Sequence, residues 1–186
     1  DSRIRRRPDG TVAEITSEFI NTGSVKTNGL DIALSHSIDS SEFFDAIDLN
    51  FVATYINEFE VKNNSSATTF DGAGSRNFRN QFRSMPKIRG NLGATFQKGQ
   101  HTLSTQLRYI DDYENDQSDT TIDSLVTLDA QYSTQSYKDS ARLSIGIKNI
   151  MDEDPPSLGV NVRPGYDNVM HNVLGRTIYV SLTQSF

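Results

Sequence analysis

The sequence predicts an all-β protein, an antiparallel up-and-down meander with the pattern of a transmembrane β-barrel. Three observations predict it. Seven segments alternate apolar and polar residues with a period of two, the signature of strands with one greasy and one wet face. The connections between them alternate between short and long, and Lys, Arg and Asp gather on the polar parity while the apolar parity carries almost no ionised group. Lipid outside and water inside a barrel demand that split. A half-solvated sheet in a soluble β-sandwich gives a similar alternation and is the competing architecture.

The elements follow in chain order. Ile4 to Ile15, turning at Pro8-Asp9-Gly10, carries charge at both parities and reads as a hairpin. The first long strand centres on Leu30, Ile32 and Leu34, opposed by Asp31, Ala33 and Ser35. Ile47, Leu49, Phe51, Ala53 and Tyr55 mark the second, and Ile88, Gly90, Leu92, Ala94 and Phe96 the third. Leu103, Thr105, Leu107 and Tyr109 define the fourth; Val126, Leu128, Ala130 and Tyr132 the fifth. Leu143, Ile145 and Ile147 alternate with Arg142, Ser144, Gly146 and Lys148 in the sixth, and Ile178, Val180 and Leu182 with Thr177, Tyr179, Ser181 and Thr183 in the seventh. Short connections run from Ile38 to Ala46, Gln97 to Gln100 and Thr134 to Ser140; long polar ones from Glu58 to Arg83, Ile110 to Asp123 and Asp152 to Val173.

Composition narrows the function. Of 186 residues 35% are hydrophobic, while Ser, Thr and Asn together supply 51 and Ala only 9, which disfavours a helical bundle. A net charge of −6 argues against a nucleic-acid binder relying on phosphate contacts. The absence of Cys excludes thiolate zinc sites and cysteine nucleophiles. No window approaches 18 apolar residues, so no transmembrane helix is expected, but a barrel strand needs only about 9–11 residues. The opening Asp1-Ser2-Arg3-Ile4-Arg5-Arg6-Arg7 lacks Met and a following apolar stretch, and predicts a mature or truncated chain rather than a signal peptide. His36, His101 and His171 are isolated, and Gly72-Ala73-Gly74 lacks the context of a nucleotide loop, so an enzyme is not expected.

Several segments resemble the TonB-dependent outer-membrane receptors of Gram-negative bacteria. Phe19 to Asp31, with Asn21-Thr22-Gly23 and Gly29-Leu30-Asp31, is similar to the family's Asn-x-Gly followed by a Gly-hydrophobic-Asp/Glu strand; Met85-Pro86-Lys87-Ile88-Arg89 is similar to its Pro-basic strand opening. Arg142 to Asp152, Pro155-Pro156, Tyr166-Asp167, Gly175-Arg176-Thr177-Ile178-Tyr179 and Phe186 follow the family's closing pattern in order. The resemblance implies the C-terminal third of a 22-stranded barrel. Residues 1–186 would then be one barrel region, 1–17 an extracellular hairpin remnant, and the plug domain absent. It further implies an import receptor without cofactor or chemistry of its own, which takes up a metal chelate, vitamin or oligosaccharide with energy relayed by the TonB complex through the missing N-terminal region. Outer-membrane lipid, lipopolysaccharide and the barrel assembly machinery are the other implied partners. A self-contained small outer-membrane barrel and a soluble β-sandwich binding module are the alternatives.

Candidate sites fall in the long connections. Arg76, Arg79 and Arg83, interleaved with Phe78 and Phe82, present guanidinium groups and rings suited to an anionic or sugar-like ligand, or to lipopolysaccharide phosphates. Arg163, Tyr166 and His171 are expected ligand contacts in the Pro- and Gly-rich loop before the last strand. Asp111, Asp112, Glu114, Asp116 and Asp119 supply hard oxygen ligands for Ca²⁺, without the glycine spacing of an EF-hand; a solvated acidic loop is the alternative. Gly175, Arg176, Tyr179 and Phe186 resemble the family's C-terminal assembly signal, with Ile178, Val180, Leu182 and Gln184 sharing the parity of Phe186.

Overall fold

A computed structural model describes residues 4–16, 23–39, 42–63, 69–77, 83–135, 141–159 and 163–184. They contain strands and no helix. In chain order these are β1 (Ile4–Arg6), β2 (Val12–Ile15), β3 (Gly23–Asp39), β4 (Ala46–Asn63), β5 (Thr69–Asp71), β6 (Ser75–Arg76) and β7 (Ser84–Met85). Then come β8 (Ile88–Lys98), β9 (His101–Ile110), β10 (Tyr113–Asn115), β11 (Thr120–Ile122), β12 (Leu125–Gln135), β13 (Ala141–Lys148) and β14 (Thr177–Gln184).

Seven long strands pair in the order β3-β4-β8-β9-β12-β13-β14, every pair antiparallel. These are the seven strands that period-two alternation predicts. β3 and β14 end the sheet, and among the described residues they do not pair with each other. β1 and β2 form a separate two-stranded hairpin, turning through Gly10 at φ 86°.

The register aligns every apolar parity on one face. Leu34 lies opposite Phe51, Phe51 opposite Leu92, Leu92 opposite Leu107 and Leu107 opposite Leu128. Further along, Tyr132 is opposite Ile145 and Ile145 opposite Val180. Among the described residues nothing covers this face: Leu34, Ile178 and Leu182 are 63%, 67% and 70% exposed. A sandwich would bury such a face under a second sheet. The opposite face is a polar network, with Thr95 Oγ1 3.2 Å from Ser104 Oγ, Ser133 Oγ 2.9 Å from Ser144 Oγ, and an Arg108–Asp129 ion pair at 2.6 Å.

β3 and β4 run to 17 and 18 residues, longer than the alternation predicts. They continue past the others as a ribbon in which Lys26 pairs with Glu58 and Glu60, and β5 adds to the edge of β4. A bulge between Asn28 and Gly29 marks the transition. A Cβ at Gly29 would run into the Tyr55 carbonyl oxygen, so only Gly fits.

Candidate functional site

The long connections, expected to be loops, fold together at one end of the sheet. β10 pairs antiparallel with β11 and parallel with β6, which pairs with β7, giving a four-stranded cap sheet. The connection from β13 to β14 packs on it, and Leu158 joins Tyr113 and Ile122 in the buried apolar cluster, with Ile110 and Met170 against it. The apolar core of the described residues therefore lies in the cap. Alternation along β10 accounts for the burial: Tyr113 and Asn115 point inward and Glu114 outward.

Asp167 is the hub of the polar interior. It is 1% exposed, accepts hydrogen bonds from Ser84 Oγ and from Tyr113 Oη (2.8 Å) on Oδ2, and lies 3.9 Å from Arg76 Nε. Its Oδ1 accepts from the Val169 amide at 3.1 Å and its carbonyl from the amides of Met170 and His171, which turns the chain. His171 stacks on Tyr113 at 6.2 Å between ring centroids, with Nε2 3.1 Å from Tyr113 Oη. Burial, together with the bond to Asp167, raises the Tyr113 hydroxyl well above its usual value, so it stays a protonated donor. Burial also pushes the His171 imidazole down, against the pull of Asp167.

Below the cap, against the polar sheet face, lies a cleft of ≈ 370 Å³. Its walls mix Ile110, Leu125, Met170 and Leu174 with Arg108, Asp129, Lys148, His171, Asn172 and Tyr179. The Tyr179 ring crosses Gly146, where a side chain would find no room, and its hydroxyl donates to Gln131 Oε1 at 2.7 Å. The Lys148 ammonium lies 5.8 Å from the same ring's centroid. A site of this kind offers hydrogen-bond donors, acceptors and an aromatic edge, but no nucleophile–base pair.

A sheet with one continuous apolar face, one polar face and long connections gathered at one end is the architecture of an outer-membrane barrel wall. A family model described as TonB dependent receptor-like, beta-barrel, matches residues 1–150. The chain belongs to this family of TonB-dependent receptor β-barrels. Comparison with curated proteins and with solved structures finds no match. The family match ends at residue 150, before β14, and the pairing of Leu143 with Leu182 and Ile147 with Ile178 extends the same two-faced pattern into that last described strand.

This TonB-dependent receptor barrel brings together only some of the residues singled out from sequence. Arg76 and His171 meet around Asp167; Arg76 also donates from Nη1 to Gln117 Oε1 at 3.2 Å, so it holds the cap's interior. Arg163 is exposed and Tyr166 half-buried, bridged through its backbone to Ser157. Arg79, Phe78, Phe82 and Phe186 lie outside the described residues, as does Phe19-Ile20-Asn21-Thr22.

The five acidic residues are not gathered. Asp111 accepts from Tyr109 Oη at 2.6 Å, and Asp119 occupies the β10–β11 turn at φ 49°. Glu114, Asp116 and Asp119 border an open cleft with Asp71, yet among the described residues no three His, Asp or Glu side chains converge to hold an ion. Asp111 and Asp112 precede β10, Glu114 lies on its outward side and Asp116 and Asp119 follow it, so the run is spread along the strand and both its connections.

Gly175 and Arg176 anchor the start of β14. Asp152, at φ 60° after Asn149 at φ 51°, accepts from the Arg176 amide at 2.7 Å and pairs with its guanidinium at 3.4 Å. Sequence reasoning missed Asp167, Tyr113 and Ser84. Tyr166-Asp167 stood out in the closing pattern, but nothing local told that its carboxylate would be buried.

Proposed function

We propose that this chain is the C-terminal part of the barrel of an outer-membrane receptor that binds a scarce nutrient and imports it with energy relayed by the TonB complex. The continuous apolar face carries the reading. A face this wide is stable against lipid tails and unstable against water. β8, β9 and β12 have 11, 10 and 11 residues, close to the length a tilted strand needs to cross the hydrocarbon. Aromatic residues stand at both ends of the apolar face: Tyr55 and Tyr109 towards the cap, Phe96 and Tyr132 towards the short turns. That is the placement of interfacial girdles.

In this reading the cap is extracellular, the short turns periplasmic and the polar face the lumen wall. β3 and β14 pair with barrel strands elsewhere in the receptor, and a plug domain provides the contact to TonB. Metal chelates, vitamins and oligosaccharides are the nutrients considered; Arg163, Tyr166, Arg79 and the cleft beneath His171 are the proposed contacts to them. The basic residues at the rim face lipopolysaccharide phosphates.

Uptake of a panel of radiolabelled iron chelates, cobalamin and oligosaccharides by cells producing the receptor tests this. One solute should bind to cells whether or not TonB is present, and accumulate only when TonB and the proton-motive force are intact. Equal accumulation in cells lacking TonB would overturn the energy-coupled reading. In the same assay Arg163→Ala and Tyr166→Ala should weaken binding without lowering surface abundance, since exposed loop substitutions seldom destabilise a barrel.

A further inference from the structure

The chain has three histidines, and only His171 belongs to the cap; His36 lies in β3 and His101 in β9. His171 sits where the β13–β14 connection meets β10. The Tyr113 hydroxyl donates its hydrogen bond to Asp167 and so faces His171 with a lone pair; the imidazole hydrogen is therefore on Nε2. Nδ1 is a bare acceptor, buried and, among the described residues, without a hydrogen-bond partner. A neutral ring suits this place. An imidazolium would bury a second N–H with nothing to receive it.

We propose that His171 is an acid-sensitive latch, whose protonation at Nδ1 loosens residues 163–175 from β10 and β11 and opens the roof over the cleft. The groups facing it are known. Asp167 lies on its own segment, Tyr113 on β10 and Arg76 on β6, while the cleft side presents Arg108 on β9, Asp129 on β12 and Lys148 on β13, with Glu153 at the rim. Asp167 favours the charged ring, but its Oδ2 is already held by Ser84 and Tyr113, and Arg108 and Asp129 neutralise each other. Lys148 opposes a further cation. Burial dominates and lowers the imidazole's pKa from its usual value of about 6.5.

The sign follows from proton binding. Between the lowered value and about 6.5 the open cap takes up more protons than the closed one, so closure weakens as pH falls below about 6.5 and levels off beneath the lowered value. The latch belongs to the cap itself and stands whichever solute the receptor takes.

Hydrogen–deuterium exchange on the full-length receptor in detergent tests it. Protection of 111–124 and 163–175 is compared at about pH 7.5 and about pH 5.5, corrected for intrinsic exchange, with β8 as the internal reference. The parental cap should lose protection at the lower pH, by up to about tenfold, while β8 keeps its own; a group titrating at about 6.5 only in the open state would give the full factor. His171→Gln retains an N–H for Tyr113 without titrating, and His171→Phe retains the stacked ring shape; either variant that folds should show the same cap protection at both pH values. A parental cap that keeps its protection at about pH 5.5 overturns the latch, as does a non-titrating variant that loses as much as the parent.

Discussion

A methyl group at Gly29 would occupy the place of the Tyr55 carbonyl oxygen, so Gly29→Ala must push β3 and β4 apart at their bulge. Forcing an atom into closed space costs about 1–3 kcal/mol. In the full-length receptor that loss should appear as a lower unfolding midpoint in urea, followed on heat-modifiability gels. Asp167→Ala acts differently. It removes the shared acceptor of Ser84 and Tyr113 and the counter-charge of Arg76, leaving buried donors unpaired at a cost of about 1–3 kcal/mol each for the neutral ones. The damage should stay in the cap: amide protection in 111–124 should collapse while the receptor's overall melting temperature barely moves. A matching fall in both would mean that the cap and the sheet unfold as one unit. Neither residue announced its role equally. Gly29 stood in a recognisable Gly-hydrophobic-Asp pattern, whereas Asp167 depends on partners 54 and 83 residues away, a separation that no local pattern encodes.

The seven long strands were legible because each places at least three apolar residues on one parity, and a half-buried strand needs nothing more. The cap strands were not. β6 and β7 have two residues each and β10 and β11 three, too few to show a period. The ribbon beyond Gly29 was hidden for another reason: Lys26, Asn28, Glu58 and Glu60 form a hydrogen-bonded ladder on one face, and the bulge at Asn28 and Gly29 shifts β3 by one residue, so that Val25, opposite Val61, falls on the other parity from Leu30 and Ile32. The closing strand offers a test at this scale. Tyr179 spans from β14 across Gly146 to Gln131 on β12, so Tyr179→Phe should lose only the hydrogen bond, about 1 kcal/mol, while Tyr179→Ala also uncovers Gly146 and should cost more. Phe186 belongs to the assembly reading. Deleting it from the full-length receptor should slow insertion and leave chains open to periplasmic proteolysis, while inserted molecules melt almost normally. Parental insertion with a lowered melting temperature would assign Phe186 to the aromatic girdle instead.

In the proposed reading the whole molecule is a wall with two solvents. Its described residues bury a small apolar cluster in the cap and leave the broad apolar face of the sheet uncovered, an arrangement that water would not tolerate. Among the described residues both outer strands also present unpaired backbone groups, which lipid cannot satisfy. Residues 1–186 produced alone in detergent should therefore migrate alike before and after boiling, without the mobility shift of a closed barrel. The central claim, that one face meets lipid and the other the lumen, has a direct test because the sequence contains no Cys. Single cysteines from Arg142 to Ile147 in the full-length receptor, on a background without other reactive thiols, would be spin-labelled in lipid bilayers and probed with oxygen and a water-soluble nickel complex. Oxygen should relax the labels at 143, 145 and 147 and the nickel complex those at 142, 144 and 146, a period of two along β13. Equal access of the nickel complex to both parities would contradict the barrel wall and return the chain to the soluble sheet proteins.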